Sequence, residues 1–347
     1  MKALRLERWQ SDPVLTEVEE PKPGPGQVVV RVGAAGACHS DLHLMRDFGP
    51  GQVPWELPFT LGHENAGWVH ELGPGATGVE IGQAVAVYGP WGCGTCARCR
   101  LGIESYCENQ QAASAPGGLG ADGGMAELLL VPDTRHLVPL PDGLDPVVAA
   151  PLTDAGLTPY HAVRRSWPKL FPGATAVVIG IGGLGHLAVQ IIRATTAARV
   201  IAVDTRGEAL ALAERAGADH ALKSGPDTAQ TIRDLTDGRG ADAVFDCVGN
   251  EHTVTLGAAV GRMMGDLTII GLGGGALPLR FGAVPHELSV QTTYWGSRPE
   301  LEEVLDLAAR GHLHAEITTF ALDDALEAYR RLEAGEITGR AVIVPRS

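Results

Sequence analysis

The segment Thr175-Ala176-Val177-Val178-Ile179 is a short β-branched run that passes directly into Gly180-Ile181-Gly182-Gly183-Leu184-Gly185, and residues 184–195 then carry a helical pattern. Strand, G-x-G-x-x-G and helix, in that order, specify one kind of unit. The glycines permit a tight turn and let backbone N–H groups and the helix N-terminus approach a pyrophosphate. Gly180, Gly182, Gly183, Leu184 and Gly185 are therefore candidate dinucleotide-binding residues. A second predicted strand, 199–203, ends at Asp204, nineteen residues beyond Gly185. An acid there accepts both ribose hydroxyls of NAD and repels the 2'-phosphate of NADP. Arg206 is a cation able to stack on adenine or to accommodate a phosphate, so the reading favours NAD and leaves NADP open.

The alternation continues beyond this unit. Helices are predicted near 207–216 and 228–235, and strands near 220–222, 243–248, 267–272 and 288–292. Strands separated by helical patterns indicate an α/β fold with a doubly wound, mainly parallel sheet of Rossmann type. Cys247 falls inside one predicted strand and reads as core. The chain before this region differs: short Val-rich strands such as 27–32 and 84–87 are broken by Gly and Pro, a pattern that suits a β-barrel-like lobe. After Trp295 come two predicted helices, 300–309 and 323–333, and a last strand, 341–344. With 347 residues, 45% of them hydrophobic, the chain can supply a core to each of two domains.

Four of the six cysteines lie close together: Cys93, Cys96, Cys99 and Cys107, spaced C-x2-C-x2-C-x7-C. Disulfides belong to oxidising compartments, and residues 1–13 contain no apolar run of the kind an export signal requires, so a cytoplasmic protein with free thiols is expected. Ferredoxin-type iron–sulfur motifs place the next cysteine after three residues and before a proline; here it follows seven and precedes Glu108. A structural Zn2+ held by four thiolates fits, and such a closed shell leaves no position for substrate.

Charge excludes other classes. The 27 Lys and Arg against 41 Asp and Glu leave a net charge of -14, which repels nucleic acid and anionic membrane surfaces. The uncharged stretch 174–192 approaches the length of a membrane span, but the glycine motif explains it better.

Two further segments are dense in ligand-type residues: Cys38-His39-Ser40-Asp41-Leu42-His43, and Gly62-His63-Glu64-Asn65-Ala66-Gly67. A catalytic zinc needs three protein ligands and an open position, and Cys38 and His63 could supply two. Taken singly, each is equally an inert buried cysteine or an ordinary core histidine.

Together these residues resemble the zinc-dependent medium-chain alcohol dehydrogenases. Gly62-His63-Glu64-x-x-Gly67 with Gly73 fits that family's zinc signature, and the four-cysteine lobe and the glycine motif follow in the family's order. The resemblance implies a catalytic, GroES-like domain over 1–153 and 297–347, with the zinc lobe near 92–108, and a Rossmann NAD-binding domain over 154–296. It implies that Cys38 and His63 bind a catalytic zinc, with Asp154 at the third position, where well-known animal members carry cysteine. Aspartate there resembles the bacterial secondary-alcohol dehydrogenases. The exchange keeps the ligand charge and replaces a soft donor with a harder one. Glu64 would be a transient fourth ligand or a neighbour of the metal. Thr158, one helical turn past Asp154, would touch the nicotinamide, and Arg340 would bind the pyrophosphate.

The zinc would lower the pKa of an alcohol hydroxyl. Its proton would leave through Ser40, the nicotinamide ribose and His43, whose ordinary pKa near neutrality suits the solvent end. Trp55, Leu119, Tyr294 and Trp295 match pocket positions, although simple core packing is the alternative at each. Secondary alcohols and ketones are the expected small-molecule substrates, with primary alcohols, aldehydes or polyols as alternatives, and a homodimer or homotetramer is expected, with 288–292 as a sheet edge open to pairing. Zinc-free quinone or enoyl reductases of the same superfamily lack the Cys38, His63 and Asp154 set, and a non-catalytic nucleotide sensor would show broken ligands.

Overall fold

The computed structural model describes residues 1–345 and divides into two compact units. One comprises Met1–Leu157, Trp295–Ala309 and the chain from Ala315 onward; the other comprises Thr158–Tyr294 with Arg310–His314.

In the second unit six strands lie side by side in the order His220–Lys223, Arg199–Asp204, Thr175–Ile179, Ala241–Asp246, Gly261–Ile269 and Ser289–Thr292, each pair parallel. Thr175–Ile179 and Ala241–Asp246 are buried at every residue, which is why both read as unbroken apolar runs rather than alternating ones. Val177, Ile201, Val203, Ile232, Val244, Leu256 and Leu267 share one core. The chain leaves the central Thr175–Ile179 strand in one direction and returns to its other side at Ala241–Asp246. Ligands of such sheets bind beyond the strand ends at that reversal.

Several boundaries differ from expectation for local reasons. The strand predicted over 243–248 runs from Ala241 to Asp246 and stops there, because the Asp246 carboxylate accepts the Val248 and Gly249 N–H groups at 3.0 and 2.9 Å and turns the chain out of the ladder. Cys247 is consequently half-buried just past the strand, not inside it. The strand predicted over 267–272 spans Gly261–Ile269, since an irregular register between Ala241 and Ala243 brings Gly261 into the pairing. The helix predicted over 323–333 starts at Ala325, after a single 3-10 turn, Leu322–Asp324. Residues 174–192 resolve into a strand, a turn and a helix, and among the described residues no helix is long and apolar enough to cross a membrane.

The first unit is built on a mainly antiparallel sheet ordered Ile317–Ala321, Arg340–Val344, Val28–Ala37, Glu64–Leu72, Ala84–Val87 and Leu137–Pro139. Val28–Ala37 organises it. Along one side it pairs with Glu64–Leu72; along the other its first half pairs with Leu128–Val131 and its last residues with Arg340–Val344. A three-stranded sheet, Val14–Glu17, Lys2–Leu6 and Phe59–Thr60, completes the unit.

Candidate active site

Strand register in the first unit gathers the site. Gly36 pairs with Glu64 on one side, and Ala37 pairs with Ala341 on the other. One residue further on, the middle strand delivers Cys38, which lies across from Arg340, while His63 leads into the neighbouring strand. Gly36 is needed here, because a Cβ would collide with the Glu64 carboxylate that crosses over it. That carboxylate reaches Arg340 and pairs with its Nη2, both side chains being almost wholly buried.

Cys38 then caps the helix His39–Arg46, its N–H bonded to Asp41 Oδ2 at 2.9 Å. Asp154 follows the 3-10 turn Ala150–Thr153. Cys38, His63, Glu64 and Asp154 thus present ligand atoms that all lie within 4.8 Å of one another. His63 Nε2 faces Asp154 Oδ2 at 3.6 Å and Ser40 Oγ at 3.2 Å, while its Nδ1 lies 3.1 Å from Asp41 Oδ1.

The donor set fits zinc. Burial pushes the His63 pKa down, but Asp41, Asp154 and Cys38 together carry it well above the ordinary value. A thiol, an imidazole and two carboxylates converging on one buried point are donors of the kinds that bind zinc. Burial pushes Glu64 up to about 7 against the pull of Arg340. Asp41 was not singled out from sequence, although it stands where a metal-ligating histidine typically keeps a carboxylate on its second nitrogen. Its i+3 position from the helix-capping Cys38 was the available signal. The third contact of Asp41, from the Tyr329 hydroxyl at 2.9 Å, spans 288 residues and left no local trace.

The second cluster is equally compact. Cys93–Cys99, Cys96–Cys99 and Cys96–Cys107 sulfur pairs lie 3.9, 3.4 and 4.0 Å apart, and all six cysteines of the chain are free thiols. Tetrahedral zinc with bonds of about 2.3 Å has sulfur–sulfur edges of about 3.8 Å. Hydrogen bonds from Thr95 and Cys96 hold the Cys93 thiol down to about 6. A trio unnoticed in the sequence anchors this lobe: buried Glu104 meets buried His136 Nε2 at 3.0 Å and half-buried Arg135 Nε at 3.2 Å, and Arg135 Nη2 donates to the Gly92 carbonyl at 2.6 Å.

In the second unit the glycine loop fits a dinucleotide. Gly180 has φ 85°, and a Cβ on Gly185 would collide with the Gly180 carbonyl, so strand and helix approach as closely as they do only with glycine at both places. Around Gly182 the space is open, as a pyrophosphate requires. Asp204 closes the adjacent strand with Oδ2 accepting the Ile181 N–H at 2.7 Å and Oδ1 accepting the Arg206 N–H at 2.9 Å. Its carboxylate is held beside the loop by these bonds, and the Arg206 guanidinium lies 3.5 Å away.

The remaining predicted residues fall as follows. Ser40 and His43 are three apart on the helix His39–Arg46 and share a face. His43 Nδ1 pairs with Asp47. Thr158 is buried in the first turn of Leu157–Arg165, and Asp154 lies before that helix, so the two do not share it. Trp55 packs over Gly120, next to Leu119, in a loop whose Gly118 and Gly123 press on Gly62. Tyr294 is 46% exposed and belongs to the second unit, whereas Trp295 is 3% exposed and stacks edge-on with His63.

Comparison with known proteins gives two family matches, "Alcohol dehydrogenase GroES-like domain" over residues 24–142 and "Zinc-binding dehydrogenase" over residues 183–310. An NAD-dependent alcohol dehydrogenase of Sulfurisphaera tokodaii is 38% identical, with 99% of this chain and 100% of the relative aligned. The crystal structure of the alcohol dehydrogenase from Aeropyrum pernix superposes with a TM-score of 0.92 at 38% identity, covering 99% of this chain and 100% of that one. An acetophenone reductase from Geotrichum candidum, solved in complex with NAD, superposes with a TM-score of 0.86 at 32% identity, covering 99% and 96%.

Proposed function

Because the chain belongs to the zinc-dependent medium-chain alcohol dehydrogenases, we propose that it interconverts secondary alcohols and ketones with NAD. NAD-dependent oxidation at CH–OH is the family's reaction; the secondary-alcohol preference is the finer reading. The observation that carries it is the donor set Cys38, His63 and Asp154, with Glu64 tied to Arg340. The name of the acetophenone reductase, a ketone-reducing relative in structure, supports the same substrate class.

Cys38, His63 and Asp154 would hold the catalytic zinc, and Cys93, Cys96, Cys99 and Cys107 the structural one. When bound, zinc supplies the Lewis acidity that lowers the pKa of an alcohol hydroxyl, and NAD supplies the hydride acceptor. Ser40, 3.2 Å from His63 Nε2, stands where it can take the hydroxyl proton. His43, on the same helix face, moves that proton toward solvent. Asp47 at its Nδ1 favours the tautomer with Nε2 free to accept. Asp41 Oδ1 lies 3.1 Å from His63 Nδ1, beside the ring nitrogen that does not face Ser40 and Asp154, and would leave Nε2 as the nitrogen available to a metal.

Asp204 would bind the adenosine ribose. Asp204→Ala should therefore narrow the preference for NAD over NADP by about 10- to 100-fold, the worth of hydrogen bonds to a charged group. kcat/KM measured with both cofactors checks this, and a wild-type enzyme that already prefers NADP would refute it. Assembly as a dimer or tetramer is supported by the unpaired edge of Ser289–Thr292, and a cytoplasmic setting by the free thiols.

The deciding experiment is NADH formation from paired secondary and primary alcohols of equal carbon number, with polyols alongside. Higher kcat/KM for the secondary member of each pair is expected. Equal or reversed ratios, or turnover confined to polyols, would replace this substrate class.

A further inference from the structure

We infer that Trp295 is a positioning residue whose indole fixes the orientation of the His63 imidazole; the inference rests on the zinc reading above. At 3% exposure the side chain has little surface to offer a substrate. Its ring meets His63 edge-to-face, with centroids 6.0 Å apart and planes at 82°. On another side the indole lies against Gly89, where a Cβ would fall 2.6 Å from a ring carbon. Gly89 is thus a slot in the chain that admits this ring.

The backbone shows the same commitment. Trp295 has φ 51°, a left-handed conformation that a bulky residue adopts only where its surroundings dictate it. The following residues are pinned: the Gly296 carbonyl accepts the buried Tyr88 hydroxyl at 2.6 Å, and the Ser297 N–H and Oγ both reach Glu300 Oε2, at 2.7 and 2.8 Å. His63 Nδ1 lies 3.1 Å from Asp41 Oδ1 without a well-aligned hydrogen bond, so the ring can still rock about that contact. A rigid ring packed against its edge removes this freedom, and with it the wandering of Nε2 among Ser40, Asp154 and the metal position.

The test uses protein with zinc in the four-cysteine lobe and Co2+ in the His63 site. Wild type, Gly89→Ala, Trp295→Leu and Trp295→Phe are compared by the visible ligand-field spectrum of Co2+ and by its rate of removal by a chelator. Trp295→Leu and Gly89→Ala are expected to shift the spectrum and speed Co2+ loss about tenfold, while Trp295→Phe stays near wild type. Unchanged spectrum and loss rate in Trp295→Leu would overturn the inference and leave Trp295 as packing or pocket wall. A Phe variant as labile as the Leu variant would also overturn it, since a ring edge would then not suffice. Should Gly89→Ala fail to fold, the two Trp295 variants decide. Wild type that holds zinc in the lobe but takes up no Co2+ at the His63 site would overturn the metal reading itself, and this inference with it.

Discussion

Asp154→Ala should lower kcat/KM for alcohol oxidation at least about a thousandfold, the factor that corresponds to the several kcal/mol a metal contributes to charge development. The variant should also fall from two zinc ions per chain to one. Asp154 is one of the anionic donors facing the buried His63, at 3.6 Å from Nε2, and alanine offers no replacement atom. Affinity for NADH should change by less than about threefold, because the glycine loop and Asp204 belong to the other unit and owe nothing to this donor set. Asp154→Cys, which keeps the charge and softens the donor, should recover much of the metal content. Full activity and two retained zinc ions in Asp154→Ala, read by turnover and metal analysis, would remove Asp154 from the site.

The second large effect concerns stability. Arg340→Met should cost about 3–5 kcal/mol, the usual result of leaving one member of a buried pair unpartnered. Adding Glu64→Gln to it should restore most of that loss, because the double variant has no uncompensated charge to bury. Urea unfolding of the four members of the cycle measures both. In protein stripped of the catalytic metal the Arg340→Met cost should also depend on pH. Glu64 has a folded pKa of about 7 even with the arginine present, above its unfolded value, so its penalty grows as pH rises through that window and shrinks as pH falls. A cost that is the same at pH 6 and pH 8, or a double variant no more stable than Arg340→Met, would contradict the pairing.

What could be read in advance was whatever chemistry demands at short range. The four cysteines, Gly180 to Gly185 and Asp204 declare themselves because a metal lobe or a phosphate turn needs its residues at fixed local spacings. Cys38 and His63 were visible as candidates, but what joins them is sheet register, which places Gly36 against Glu64 and Ala37 against Ala341. No window of sequence contains that pairing. The same holds for Asp41 with Tyr329 and for Glu104 with His136. Arg340 illustrates the limit from the other direction: the resemblance implied a phosphate contact, which stays a proposal, while its ion pair with Glu64 inside the sheet is announced by no window of sequence. The misplaced end of the Ala241–Asp246 strand has another origin. Apolar residues continue through Cys247 and Val248, and only the carboxylate of Asp246, folding back on the next N–H groups, stops the ladder.

The unit that carries Glu64 is stitched from three stretches of chain, and its last strand begins with Arg340. At roughly 5–20 residues per second, a ribosome needs about 14 to 55 s to cover the 276 positions from Glu64 to Arg340. Cys38 and His63 are synthesised before that interval begins, and Asp154 within about its first third. During translation the metal donors therefore exist well before the arginine that neutralises Glu64, and the nucleotide-binding sheet is synthesised in between. The nascent chain passes through a stage at which Glu64 stands beside the other three ligand-type side chains without Arg340, and its ion pair can form only once the C-terminal strand is complete.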